Sequence, residues 1–106
     1  MASDRRGEVW LVDLGYVAKT RPAVIISVTP SDSERALIAL VPHTTSTRGT
    51  RLEVTSSERF LKAGAFDAQN LVTAPQAKLL QRLGKLSPTS FDEVMNAVQN
   101  WLGIRS

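Results

Sequence analysis

Arginine, threonine and serine side chains at strand ends are the groups in this sequence whose types and spacing could do chemistry together. Arg21 opens a β-branched run, Pro22-Ala23-Val24-Ile25-Ile26-Ser27-Val28, and Thr44-Thr45-Ser46 closes another, Ala36–Val41, just after Pro42. If the two runs are neighbouring antiparallel strands, the start of one lies beside the end of the other. Arg21 and Thr44 then meet at one edge of the sheet. A guanidinium is always charged, and its planar fork hydrogen-bonds oxygens in pairs. With a hydroxyl beside it, the pair is suited to hold a phosphate. Taken alone, Arg21 is a solvated residue at a strand start and Thr44 an ordinary turn residue; only their meeting makes a site.

The rest of the chemical inventory is thin. There is one histidine and no cysteine, so disulfides and zinc sites of the usual His/Cys kind are excluded. No serine sits in a G-x-S-x-G elbow and no glycine-rich phosphate loop is present. The carboxylates Asp13, Asp32, Glu53, Glu58 and Asp67 have no spacing that would gather them around a metal. His43 invites a role as base, but in an extended strand it points away from Thr44, which makes it a structural or surface histidine. No cofactor and no metal are expected.

The elements that must position Arg21 and Thr44 are mostly strands. Glu8–Leu14 reads as a strand ended by Gly15, with Glu8, Trp10, Val12 and Leu14 on one face. The run after Arg21 is nearly all apolar, as for a central strand buried on both faces, with Pro22 at its first position because proline cannot donate to a ladder. Ala36–Val41 is the third strand. Arg51–Thr55 alternates like a fourth, after a polar loop bent at Gly49. Ser56–Phe66 is ambiguous, with room for a short helical turn. Asn70–Thr73 and Lys78–Leu83 read as two short strands. Ser87-Pro88 begins a helix, Phe91, Val94, Met95, Val98, Trp101 and Leu102 recur at its spacing, and Gly103 ends it.

These 106 residues suffice for one compact domain, 1–106, of α+β class: a small β-barrel or antiparallel sheet closed by a C-terminal helix. The formal net charge of +3 is a mild bias toward polyanions. No run of about 20 apolar residues is present to span a membrane. The polar start, Met1 to Glu8, has no signal-peptide core, so the cytoplasm is the expected compartment.

Three segments carry a resemblance. RGEVWLVDLG at 6–15, RPAVIIS at 21–27 and VPHTTSTRGTRLEV at 41–54 resemble, in order and content, the MazF/PemK/Kid toxins of type II toxin–antitoxin systems. The third is the most specific, with a Val-Pro-x-Thr-Thr run, a basic residue before glycine, and a strand ending in Glu-Val. Asn70–Gln76 is similar to the family's later strand and following glutamine, so the resemblance spans nearly the whole chain.

The resemblance implies an SH3-like β-barrel, the CcdB/PemK-like toxin fold. It also implies a metal-independent endoribonuclease that cuts single-stranded RNA at short sequences. Such an enzyme forms a homodimer and is restrained by a cognate antitoxin with an acidic, partly disordered segment. Its catalytic arginine falls on Arg21, before Pro-Ala-Val, and its catalytic threonine on Thr44. Thr45, Ser46, Arg48, Arg51 and Gln76 become candidate RNA contacts. There is one departure. Gly15–Thr20 is shorter than the Gly-Ser-Glu-Gln-like connection of longer members and has no acid. Tyr16 and Lys19 are the candidates to replace its contacts, as a stacking surface and a phosphate contact.

RNA brings its own nucleophile, so few protein groups are needed. The expected products are a 2′,3′-cyclic phosphate and a 5′-hydroxyl. Arg21 would stabilise charge on the phosphoryl oxygens and Thr44 would hydrogen-bond them. The base is unassigned, since neither is a good base at neutral pH. Two rivals stand beside this reading. One is a gyrase poison of the CcdB kind, which the ending Trp101-Leu102-Gly103-Ile104 partly echoes. The other is a nucleic-acid-binding barrel without catalysis, which would show salt-sensitive affinity and no cleavage.

Overall fold

The computed structural model describes residues 5–15 and 20–104. Seven strands form one antiparallel sheet: β1 Glu8–Asp13, β2 Thr20–Ile25, β3 Leu37–Thr44, β4 Glu53–Ser56, β5 Gly64–Asp67, β6 Val72–Pro75 and β7 Leu79–Lys85. Their order is β4-β5-β3-β2-β1-β7, and β6 pairs separately with β3. The helix α1 spans Pro88–Leu102.

Cross-strand pairing explains why the apolar runs sit at the centre. Val9 pairs with Val24 and Val24 with Val41, making a row of valines across β1, β2 and β3. That row joins Phe66, Leu86, Val94 and Val98 in the core beneath α1. The alternate residues of the same strands, Val12, Ala23, Ile25 and Leu40, face the other way and close a second core with Ile38 and Ala74. Strand β2 is therefore buried on both faces, as its composition requires. Trp10 and Leu14 pack with Val12 on that second side, so the expected alternation along β1 holds.

Helix α1 begins and ends as expected. The Ser87 Oγ accepts the Ser90 N–H at 3.2 Å, Pro88 stands at the first turn, and Gly103 closes the helix with φ 71°. Arg6 ties the helix side to the sheet: its Nε donates to the Ile26 carbonyl at 3.1 Å and its guanidinium lies 5.3 Å from the Phe91 ring centroid.

Three expectations need correction. Pro22 is the third residue of β2, not its first; the ladder to β3 begins only at Ala23, one residue beyond it. The ambiguous Ser56–Phe66 stretch holds one hydrogen-bonded turn, Glu58 to Leu61, and ends in a strand that the sequence reading did not give. That strand is β5, which pairs with β4 on one side and β3 on the other. The later strand covers Val72–Pro75 because a 3₁₀ turn occupies Ala68–Asn70, capped by Asp67. Along α1 the buried positions are Val94, Ala97 and Val98, while Trp101 and Leu102 continue the helical spacing and lie exposed at its end.

Candidate active site

The register of β2 on β3 decides where the chemistry lies. Ala23 pairs with Pro42, Val24 with Val41 and Ile25 with Leu40. Carried two residues further, that register sets Arg21 opposite Thr44. Both residues line one cleft of about 630 Å³, with Thr45, Ser46 and Lys62. Arg21 also borders a smaller hollow of about 270 Å³ beside Leu14, Asn70 and Val72.

Arg21 is half-buried, and its guanidinium has no hydrogen bond or ion pair with another described residue. Holding a charge partly out of water without a partner costs free energy. An incoming anion would supply that partner. Thr44 is held in readiness differently. Its Oγ1 accepts the Ser46 N–H at 3.0 Å and reaches the Ser46 carbonyl only at 3.5 Å. The hydroxyl is thus fixed through its lone pair while its proton stays available to an incoming acceptor.

His43 is buried and hydrogen-bonded, Nε2 to the Ser56 Oγ, at 2.9 Å; either atom can carry the shared proton. Its ring stands edge-on to Phe66, with centroids 5.2 Å apart. Burial holds its pKa below the ordinary histidine value, so it is neutral at pH 7. To reach Ser56 on β4 the ring crosses β5 at Gly64, the position where a side chain would block it. A Cβ there would lie 2.9 Å from the His43 Cε1 and collide with the Thr44 carbonyl oxygen.

The loop after Thr44 is folded around Glu53. The Arg48 N–H donates to both carboxylate oxygens at 2.9 and 3.0 Å, the Gly49 N–H at 2.7 Å and the Thr50 N–H at 3.4 Å. The Arg48 N–H is the largest cause that holds the Glu53 carboxyl below its usual range, with Gly49 and Thr50 adding to it. A depressed folded-state pKa gives a stabilisation that is complete above the ordinary glutamate range. It is lost as pH falls through the lower folded value. Amide protection at Arg48 and Gly49 should therefore fall on acidification below that range. In Glu53→Gln the same amides should be less protected at neutral pH and insensitive to it. Hydrogen exchange read at each amide checks this, and equal protection in both proteins at neutral pH would refute it.

Of the other candidates from sequence, Thr45 and Ser46 line the cleft with Arg21 and Thr44. Arg48 and Arg51 do not; Arg51 borders a hollow with Glu93 and Asn96 near α1. Gln76 lies at the far end of β3, where its N–H donates to the Ala36 carbonyl at 3.0 Å. That is a strand length of about 26 Å from Thr44, at roughly 3.3 Å per residue. The Gln76 side chain accepts from Arg5 at 3.5 Å. Trp10 offers no open platform, because Arg5 covers its ring at 4.9 Å and its Nε1 donates to Glu8 at 2.9 Å. Tyr16 and Lys19 lie outside the described residues. Lys62, with Phe60 and Leu61, is the part of the cleft that sequence reasoning missed. The only signal was two cations, Arg59 and Lys62, in an ambiguous loop, and nothing in a sequence says that this loop folds back beside Thr44.

Residues 5–102 match the family of PemK-like, MazF-like toxins of type II toxin–antitoxin systems. The chain belongs to that family. The toxin is 29% identical over 104 residues to endoribonuclease MazF1 of Mycobacterium bovis, covering 98% of this chain and 97% of the relative. The same figures hold for endoribonuclease MazF4 of Mycobacterium tuberculosis. Among solved structures it resembles a mycobacterial endoribonuclease in complex with its cognate antitoxin. The TM-score is 0.83 and the identity 26%, over 98% of this chain and 99% of that one. MazF from a MazE–MazF complex of Deinococcus radiodurans shares the fold, with a TM-score of 0.76 at 21% identity over 99% of each chain. The family match favours the ribonuclease toxins over the gyrase-poison and binding-only alternatives.

Proposed function

We propose that the toxin is an endoribonuclease that cleaves single-stranded RNA by attack of a ribose 2′-hydroxyl on the adjacent phosphorus. The bond from the 2′-oxygen to phosphorus forms and the bond from phosphorus to the 5′-oxygen breaks. A 2′,3′-cyclic phosphate is left on one fragment. The 5′-oxygen of the other takes up a proton, and the 2′-hydroxyl proton is lost. Negative charge gathers on the phosphoryl oxygens in between, which is where a preorganised arginine contributes most. Arg21 binds that charge in bidentate fashion, and Thr44 turns its hydroxyl proton from the long 3.5 Å contact with the Ser46 carbonyl to the same phosphate. Alignment of nucleophile and phosphorus supplies much of the remaining acceleration, since both belong to one molecule.

The observation that carries this reading is the half-buried Arg21 guanidinium, without a partner among the described residues, in one cleft with Thr44. Relatives named endoribonucleases support the reaction class. The test is purified protein against long mixed-sequence single-stranded RNAs in EDTA. Cleavage to cyclic-phosphate and 5′-hydroxyl ends that persists in EDTA is the expected result. Intact RNA across several transcripts, or cleavage that EDTA stops, would overturn the proposed mechanism.

The relative solved with its cognate antitoxin supports a matching partner here, whose acidic, partly disordered segment lies across the basic cleft. Exposed Leu80 on the edge strand β7 and exposed Trp101, Leu102 and Ile104 at the end of α1 support a homodimer that covers apolar surface. A single-stranded RNA substrate such as messenger RNA supports the cytoplasm as the compartment of the activity. No helix among the described residues is long and apolar enough to cross a membrane.

A further inference from the structure

The loop between β4 and β5 forms one side of the Arg21–Thr44 cleft and presents a cation to it. We infer that Lys62 is a second phosphate-binding residue of the RNA groove. It holds a phosphate next to the one that is cut, while Phe60 and Leu61 fix the loop that carries it. The inference rests on the ribonuclease reading above and extends it to the path of the strand.

The loop is anchored at three points. Its Leu61 N–H donates to the Glu58 carbonyl at 3.2 Å, and Phe60 and Leu61 pack against the core beneath α1. The Phe60 ring lies so close over Gly84 that a Cβ there would come within 2.5–2.7 Å of three ring carbons. Downstream, Gly64 touches the Thr44 backbone, and Ala65 pairs with Thr44 in the β3–β5 ladder. Lys62 stands between those anchors. A few residues of chain span about 3.5 Å each at most, so its backbone is confined near Thr44.

Charge points the same way. Lys62 is exposed and makes no hydrogen bond or ion pair with a described residue. Lys78 and Arg82 elsewhere on the surface do have carboxylate partners, Asp13 at 3.8 Å and Glu8 at 3.7 Å. The cleft therefore presents two cations without a partner among the described residues, Arg21 and Lys62, and its volume of about 630 Å³ is that of a site for a ligand larger than one phosphate. An ammonium is a compact point charge on a flexible stem and lacks the fork that reads a base edge. Lys62 thus contributes affinity and alignment of the backbone, with no preference for the bases cut.

The experiment compares the full-length protein with Lys62→Ala and Lys62→Arg, and with Arg21→Ala as the catalytic control. One readout is kcat and KM on single-stranded RNA. The other is the salt dependence of affinity for an RNA whose 2′-hydroxyls are all methylated and which cannot be cut by this route. Lys62→Ala should raise KM about 5- to 10-fold at moderate salt and leave kcat within about twofold. It should also reduce the slope of log K against log salt by about 0.7, the value for one phosphate on a single strand. Lys62→Arg should restore both. If Lys62→Ala matches the parent in KM and slope while Arg21→Ala stops cleavage, the inference fails and the ribonuclease reading stands. If the parent does not cut RNA, the ribonuclease reading fails, and an unchanged slope then removes Lys62 as well. A slope change that Lys62→Arg does not rescue would also count against a charge contact.

Discussion

Arg21→Ala should lower the cleavage rate by about 10²–10³-fold, the usual cost of removing one preorganised charge partner from a transition state. The loss should fall on kcat, with KM changed by no more than a few-fold. The charge that Arg21 meets is greatest when the phosphoryl oxygens are in transit, and an interaction made mainly there appears in kcat. Stability should hardly change. Arg21 has no hydrogen bond or ion pair to another described residue, and removing a partly buried, unpaired charge relieves desolvation and breaks no network. Arg21→Lys should recover little, because an ammonium keeps the charge and loses the planar fork. Single-turnover cleavage of RNA beside thermal melting checks all of this. A variant within about fivefold of the parent would sink the assignment. So would a variant whose loss of activity tracks a lowered melting temperature. A protein that only binds RNA would give a different result again: weaker affinity with a shallower salt slope and no rate to lose.

The meeting of Arg21 and Thr44 is legible in the sequence because it follows from pairing alone. Two apolar β-branched runs joined by a short connection have to pair antiparallel, and Arg21 and Thr44 stand at the ends that such pairing brings together. The helix is equally plain, since Ser87, Pro88 and Gly103 are position-specific signals with a physical cause. What escapes is local sequence overridden by tertiary pairing. Gly-Ala-Phe-Asp has poor strand propensity, and it forms β5 because β3 and β4 supply hydrogen-bond partners on both sides. The loop that carries Lys62 to the cleft depends on β5, so missing the strand means missing the cation. The folding of the Arg48–Thr50 amides around Glu53 is hidden for a related reason. Glu53 reads as one wet residue of an alternating strand, and nothing in that pattern says that its carboxylate turns back to gather three N–H groups.

Gly64→Ala should be the most damaging single methyl in the molecule. The added Cβ would collide with the Thr44 carbonyl oxygen and lie 2.9 Å from the His43 ring and 3.0 Å from the Thr44 carbonyl carbon. Two of those three atoms are backbone and cannot rotate aside, so β5 has to move off β3. The Thr44–Ala65 pair loosens first, and with it the close path of His43 to Ser56. Overpacking of this kind costs about 3 kcal/mol, near the upper end of the usual range. For a chain of this size that is a fall in melting temperature of roughly 12 °C or more. Gly49→Ala is the control: its Cβ meets nothing within 4 Å, and only its φ of 70° opposes substitution. A cost of about 1 kcal/mol is expected there. Gly84→Ala should fall between the two, because the obstacle is the Phe60 side chain and not backbone. Thermal melts of the three variants would establish the order. Activity adds a second reading, taken at a temperature where all three remain folded. Gly64→Ala should lose rate because Thr44 shifts from Arg21, and Gly49→Ala should not. A Gly64→Ala protein that melts within about 3 °C of the parent would mean that β5 does not press against Thr44. The placement of Lys62 beside the cleft would then lose its anchor as well.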